Sequence, residues 1–152
     1  MSDGNWSDYV ADAGTDPAGL SEASASMGEA IDAAPAGLDA VEPSTLPDAA
    51  ADEVSAAAAN IDEAAGWQQW SDGDLANAAS WQDYADGHVQ AANEWAAWGN
   101  LDAAQEELNS AQTAAEIADD ASGNASVDLG IGADYIDTAS DNLSDAASDS
   151  NP

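Results

Sequence analysis

Residues 74–98 read DLANAASWQDYADGHVQAANEWAAW. Within this stretch Leu75, Ala78, Trp81, Ala85, His88, Ala92, Trp95 and Trp98 recur near the 3.6-residue period, which places them on one face of a helix. About 23 residues at 1.5 Å each predict roughly 35 Å of helix. Gly99-Asn100 follows, and Asn100 is able to cap a further helix that carries Leu101, Ala104, Leu108, Ala111, Ala115 and Ala118, with Ile117 beside that stripe. The spacing predicts that residues 74–118 are continuous or merely kinked at Gly99, with a hairpin broken there as the alternative.

Upstream, Asp16-Pro17 has the form of an N-cap followed by proline at the first helical position. Leu20, Ala23, Met27, Ile31 and Ala34 then fall at helical spacing, and Pro35 is the expected stop. The Pro- and Gly-containing stretch 35–47 is expected to be a connector. Thr45 to Asp48 has capping-box spacing with Asp in the place of Glu, and the stripe Ala50, Val54, Ala57, Ile61, Ala65 follows. Gly66 is the expected end, leading into a turn, Trp67-Gln68-Gln69-Trp70-Ser71-Asp72-Gly73, that bears two indoles.

Downstream, Asp119-Asp120 sits badly at the negative end of a helix dipole, and Ser122-Gly123-Asn124 is the expected break. Val127, Leu129 and Ile131 alternate as in a short strand that has no evident partner. Residues 133–147 read as a weak last helix with Tyr135, Ile136, Ala139 and Leu143. The expected organisation is a polar lead over 1–15 containing Trp6 and Tyr9, a helical domain over 16–120, a linker and weak helix over 121–147, and a disordered tail over 148–152. The fold class is all-α: an elongated bundle of about four to five Ala-rich helices around a Trp-rich central one, with disordered ends.

Composition bounds the core and the chemistry. The chain has 152 residues, of which 45% are apolar, and about 39 of those are Ala, so larger apolar side chains can fill only a modest helical core. Lys and Arg are absent against 31 Asp and Glu, a formal charge of −31. Ordinary usage would supply roughly 15–20 cations in a chain of this length. Without them there is no direct grip on nucleic-acid phosphate, no Walker-type phosphate loop and no attraction to an anionic membrane. With no Cys there are no disulfides or thiolate metal sites. The N-terminus lacks the pattern of a classical signal peptide, and no apolar run is long enough to span a membrane.

Such a charge opposes compaction by self-repulsion. Concentrated salt, bound cations or a basic partner would relieve it. Screening shortens from about 10 Å at 0.1 M to about 3 Å at 1 M salt, so a saline cytoplasm or a virion from a saline host is the expected setting. Diffuse counter-ions are expected and a specific cofactor is not. The Asp-rich loops Asp72-Gly73-Asp74 and Asp119 to Gly123 do not fit an EF-hand pattern. Adjacent acids such as Glu106/Glu107 point about 100° apart on a helix and do not converge as a general acid and base. His88 is the lone histidine, suited to a pH switch but expected to pack against a carbonyl or carboxylate. No nucleophile elbow supports a Ser–His–Asp triad, so no enzymatic activity is expected.

The aromatic residues are the candidate interaction face: Trp67, Trp70, Trp81, Tyr84, His88, Trp95 and Trp98. Trp buries a large area and keeps an N–H handle, so these rings either dominate the packing of a core made mostly of Ala or form an interface. Trp98-Gly99 is similar to the Trp-x-Gly turn of the small helical-hairpin substrates of type VII secretion, but lacks its middle residue. Tyr135-Ile136-Asp137-Thr138-Ala139 carries Ala where that family's trailing signal has an acid. The similarity extends over about half of the chain through unspecific Ala-rich helices and assigns no family.

Two functions are expected to compete. One is a structural or interaction protein of a halophile or its virus, such as a virion or assembly component, binding a basic protein or a second copy through the Trp/Ala face. The other is a DNA mimic that occupies the basic cleft of a DNA-binding protein. Against the mimic, residues 74–118 alone carry only about eight acids over roughly 67 Å of helix, while duplex DNA carries a charge per about 1.7 Å.

Overall fold

The computed structural model describes residues 17–39 and 47–149, nearly all of them helical. Three helices account for them: α1 (Pro17–Asp39), α2 (Asp48–Ala97) and α3 (Leu101–Asp149). The fold is all-α. The polar lead, with Trp6 and Tyr9, most of the connector and the last residues of the tail lie outside the described residues.

Among the described residues three long helices stand where about four to five were expected. Gly66 does not end α2, and Ser122-Gly123-Asn124 does not end α3. A mid-helix glycine costs only about 1 kcal/mol relative to Ala, less than the loss of the packing that continues on either side of it. Residues 67–73 are helix rather than turn, and residues 127–131 are helix rather than strand. Their alternation has a helical explanation: Leu129 is buried, Ile131 half-buried and Val127 exposed. α1 runs through Pro35, whose ring nitrogen cannot donate to the carbonyl one turn back, and ends four residues later.

The expected continuity across Gly99 fails, and the hydrogen bonds show why. Gly99 has φ 80, the left-handed region that glycine enters without strain. Its N–H donates to the Ala96 carbonyl (3.0 Å), and the Asn100 N–H donates to that of Trp95 (3.0 Å). These two bonds are a Schellman closure of α2. Asn100 then starts α3 as its cap, its Oδ1 accepting from the Ala103 N–H at 3.2 Å.

A seven-residue row of small side chains joins α2 to α3. On α2 it comprises Ala50, Ala57, Ala64, Ser71, Ala78, Ala85 and Ala92, none more than 2% exposed. On α3 it comprises Ala104, Ala111, Ala118, Ala125, Gly132, Ala139 and Ala146, all buried. A strict heptad spacing keeps one seam of each helix facing its neighbour. Methyl groups and hydrogens at the seam let the axes approach toward the near end of the usual 8–10 Å range.

The chain divides into two compact units, and the seam has the same antiparallel sense within each. Among the described residues, one contains 17–20 and 73–124 and the other 21–72 and 125–149. In the first, Ala85 packs with Ala114 and Ala115, and Trp81 lies against them. In the second, Ala57 and Ile61 pack with Ala139, joined by Ile31 of α1 and Leu143. There α1 runs antiparallel to α2. The Ser24 hydroxyl donates to Asp72 Oδ1 (2.5 Å), and the Gln68 amide donates to the Ser24 carbonyl (3.0 Å). Gly132 makes room for α1, since a Cβ there would lie 2.7 Å from Met27 Sδ.

Candidate functional site

The aromatic residues occupy two neighbouring heptad positions of α2 and its cap. Trp67, Trp81, His88 and Trp95 share one position, three residues after seam residues Ala64, Ala78, Ala85 and Ala92, and are half-buried. Trp70, Tyr84 and Trp98 share the next position outward and are 70%, 56% and 74% exposed. Trp-x-x-Trp/Tyr thus repeats at 67/70, 81/84 and 95/98, every fourteen residues. Trp67 and Trp70 belong to one unit and the other five residues to the second.

The expectation of one Trp/Ala face divides accordingly. The alanines form the internal seam, and the aromatics form a flank beside it. Trp81 and Tyr84 meet edge to face with ring centroids 5.8 Å apart, and Trp95 and Trp98 do so at 5.2 Å. Offset geometries of this kind suit the ring quadrupoles. Tyr84 also meets His88 edge-on at 4.5 Å. His88 Nδ1 lies 2.5 Å from Glu107 Oε2, each side chain about a quarter exposed, so the lone imidazole packs against a carboxylate of α3.

Within the 73–124 unit the flank borders an open groove of about 380 Å³, with Trp81 and Tyr84 on one wall. Asn109, Ser110, Thr113, Ala114 and Ile117 of α3 form the other wall, and no lining residue is charged. The Ser110 and Thr113 hydroxyls donate to the carbonyls of Glu106 and Asn109 (3.2 and 3.0 Å), which leaves their lone pairs as acceptors. Asn109 Oδ1 accepts from the Gln105 amide at 3.1 Å.

Among the described residues no group of three or more His, Asp or Glu is placed to hold a metal ion, and no helix is long and apolar enough to cross a membrane. The α3 wall of the groove was not legible from aromatic content alone. The fourteen-residue aromatic repeat, read together with the heptad of small residues, is the signal that locates it. Searches of family models, curated proteins and solved structures return no match to the chain.

Proposed function

We propose that the chain is a non-enzymatic, highly acidic helical interaction protein, a structural or assembly component of a saline cell or its virus, that associates through its aromatic flank. The observation that carries this is the exposure of Trp70, Tyr84 and Trp98 at one heptad position. Large aromatics left mostly in water at regular spacing contribute little to the chain's own core, and Trp and Tyr are favoured where interfaces concentrate binding energy. The carboxylates stay solvated or face a basic partner.

The test is sedimentation and partner capture in molar KCl, comparing the natural chain with a Trp70→Ala/Tyr84→Ala/Trp98→Ala variant. The expected result is an assembly or a captured partner that the triple substitution removes. A chain that stays monomeric, and captures the same proteins with or without the three rings, contradicts the proposal.

DNA mimicry is the second reading. Its support is the antiparallel pairing within the 73–124 unit, which brings about ten carboxylates onto roughly 38 Å of paired helix. That is still about half of the roughly 22 charges on an equal length of duplex. Competition with DNA for a basic protein, lost at high salt, would favour it.

A further inference from the structure

The groove of the 73–124 unit has an uncharged floor in a chain that carries 31 acidic residues and no Lys or Arg. Its apolar elements are the Trp81 and Tyr84 rings on one side and Ala114 and Ile117 on the other. Two of its polar elements are acceptors, because the Ser110 and Thr113 hydroxyl hydrogens are committed to the helix backbone, and the Asn109 amide and Tyr84 hydroxyl stand beside them. Exposed carboxylates rim the α3 side: Glu106, Glu116 and Asp120. Each lies three or four residues from a lining residue (Ser110, Thr113 and Ile117 respectively), which makes them neighbours on the helix surface. The Tyr84 ring, 56% exposed, is open to a cation over its face. The chain itself supplies no Lys or Arg to take these positions.

We propose that this groove docks an amphipathic cationic segment of another protein. Its apolar side chains lie on the floor between Trp81/Tyr84 and Ala114/Ile117. Its Lys or Arg side chains reach the acceptors of the α3 wall, the rim carboxylates and the face of Tyr84. Charge complementarity selects this occupant over a second copy, which would bring another 31 acids and no Lys or Arg. The proposal rests on the aromatic flank being an interaction surface and assigns one part of it a ligand class.

The probe is a synthetic Leu/Lys amphipathic peptide of about five helical turns, with a Leu/Glu peptide as its control. Binding is measured calorimetrically in 0.15 M and 0.5 M KCl, at Debye lengths of roughly 8 Å and below. The groove variant is Ser110→Arg/Thr113→Arg. Both positions are exposed, and two added cations among 31 acids barely change the general attraction of the chain for a polycation. Tyr84→Ala is a second groove variant, Trp70→Ala tests the flank in the other unit, and Gln69→Ala, exposed and outside the flank, is the control.

The expected result is one Lys peptide per chain, weakened at least tenfold by either groove variant and unchanged by Gln69→Ala, with no binding of the Glu peptide. Equal affinity for the natural chain and the groove variants, many peptides per chain without saturation, or no binding each overturns the proposal. If Trp70→Ala weakens binding and the groove variants do not, the interaction flank stands and the groove assignment fails. Self-association that excludes the peptide identifies a second copy as the occupant and also overturns it.

Discussion

His88 Nδ1 on α2 lies 2.5 Å from Glu107 Oε2 on α3, and the imidazole is the one basic side chain in a sequence with 31 carboxylates. The pair ties the two helices near their turn, with the Tyr84 ring edge-on to the imidazole. Partial exposure keeps its contribution small. His88→Ala is expected to destabilise the fold by about 1 kcal/mol or less. A double-mutant cycle with Glu107→Gln, read by urea unfolding in molar KCl, should return a coupling of about 0.5 kcal/mol. Additive effects would show that the pair contributes nothing.

Ser71 is the one hydroxyl in the small-residue row of α2. It is fully buried, and its Oγ has no hydrogen-bond partner. Removing an unsatisfied buried hydroxyl recovers part of its desolvation cost. Ser71→Ala is therefore expected to stabilise the chain by about 1 kcal/mol, raising the denaturant midpoint at unchanged m-value. Ala85→Leu, in the same row, should overpack the seam and cost about 1–3 kcal/mol.

The glycines divide into those the packing needs and those it does not. A Cβ on Gly73 or Gly87 would meet nothing within 4 Å. Gly73→Ala and Gly87→Ala should each raise stability by about 0.5–1 kcal/mol through helix propensity and lower unfolded-state entropy. Gly99→Ala should lower it by about 1–2 kcal/mol, because φ 80 is strained for a residue with a Cβ. Thermal unfolding of the three variants gives the signs directly.

Trp70 and Trp98 face water, while Trp67, Trp81 and Trp95 are half-buried. In a Trp6→Phe background, acrylamide should quench a red-shifted component that Trp70→Phe/Trp98→Phe removes, leaving bluer and better protected emission. On the saline setting proposed above, that protected emission and the helicity by circular dichroism should both grow as KCl rises from about 10 mM toward 3 M, where screening is nearly complete. Full helicity at 10 mM would remove the argument for a saline setting and turn attention to a basic partner.

Much of the fold could be read from the sequence because Leu75 to Trp98 and Leu101 to Ala118 repeat apolar residues at helical spacing. The boundaries were harder. Gly66, Gly123 and Pro35 look like stops when local propensity is the guide, yet tertiary packing overrides a cost of about 1 kcal/mol per glycine. The row that supplies this packing is written in Ala, Ser and Gly. In a chain with about 39 alanines such a row does not stand out until it is counted at a period of seven. The aromatic flank was visible as a set of residues. Its division into half-buried Trp81 and exposed Tyr84 was not, because both satisfy a helical stripe and only the seam tells which of them faces outward.

The antiparallel register of the seam underlies every assignment made to the flank, and the absence of Cys from the chain makes it directly testable. Ala57 and Ala139 belong to one buried cluster. The register places Ala57→Cys/Ala139→Cys within reach of a disulfide, while Ala57→Cys/Ala146→Cys is displaced by one heptad, about 10 Å along the helix. Under mild oxidation at high dilution and molar salt, the first pair should close quantitatively within one chain and the second should not. Equal closure of both pairs, or cross-links only between chains, would contradict the hairpin and the exposed aromatic flank that depends on it.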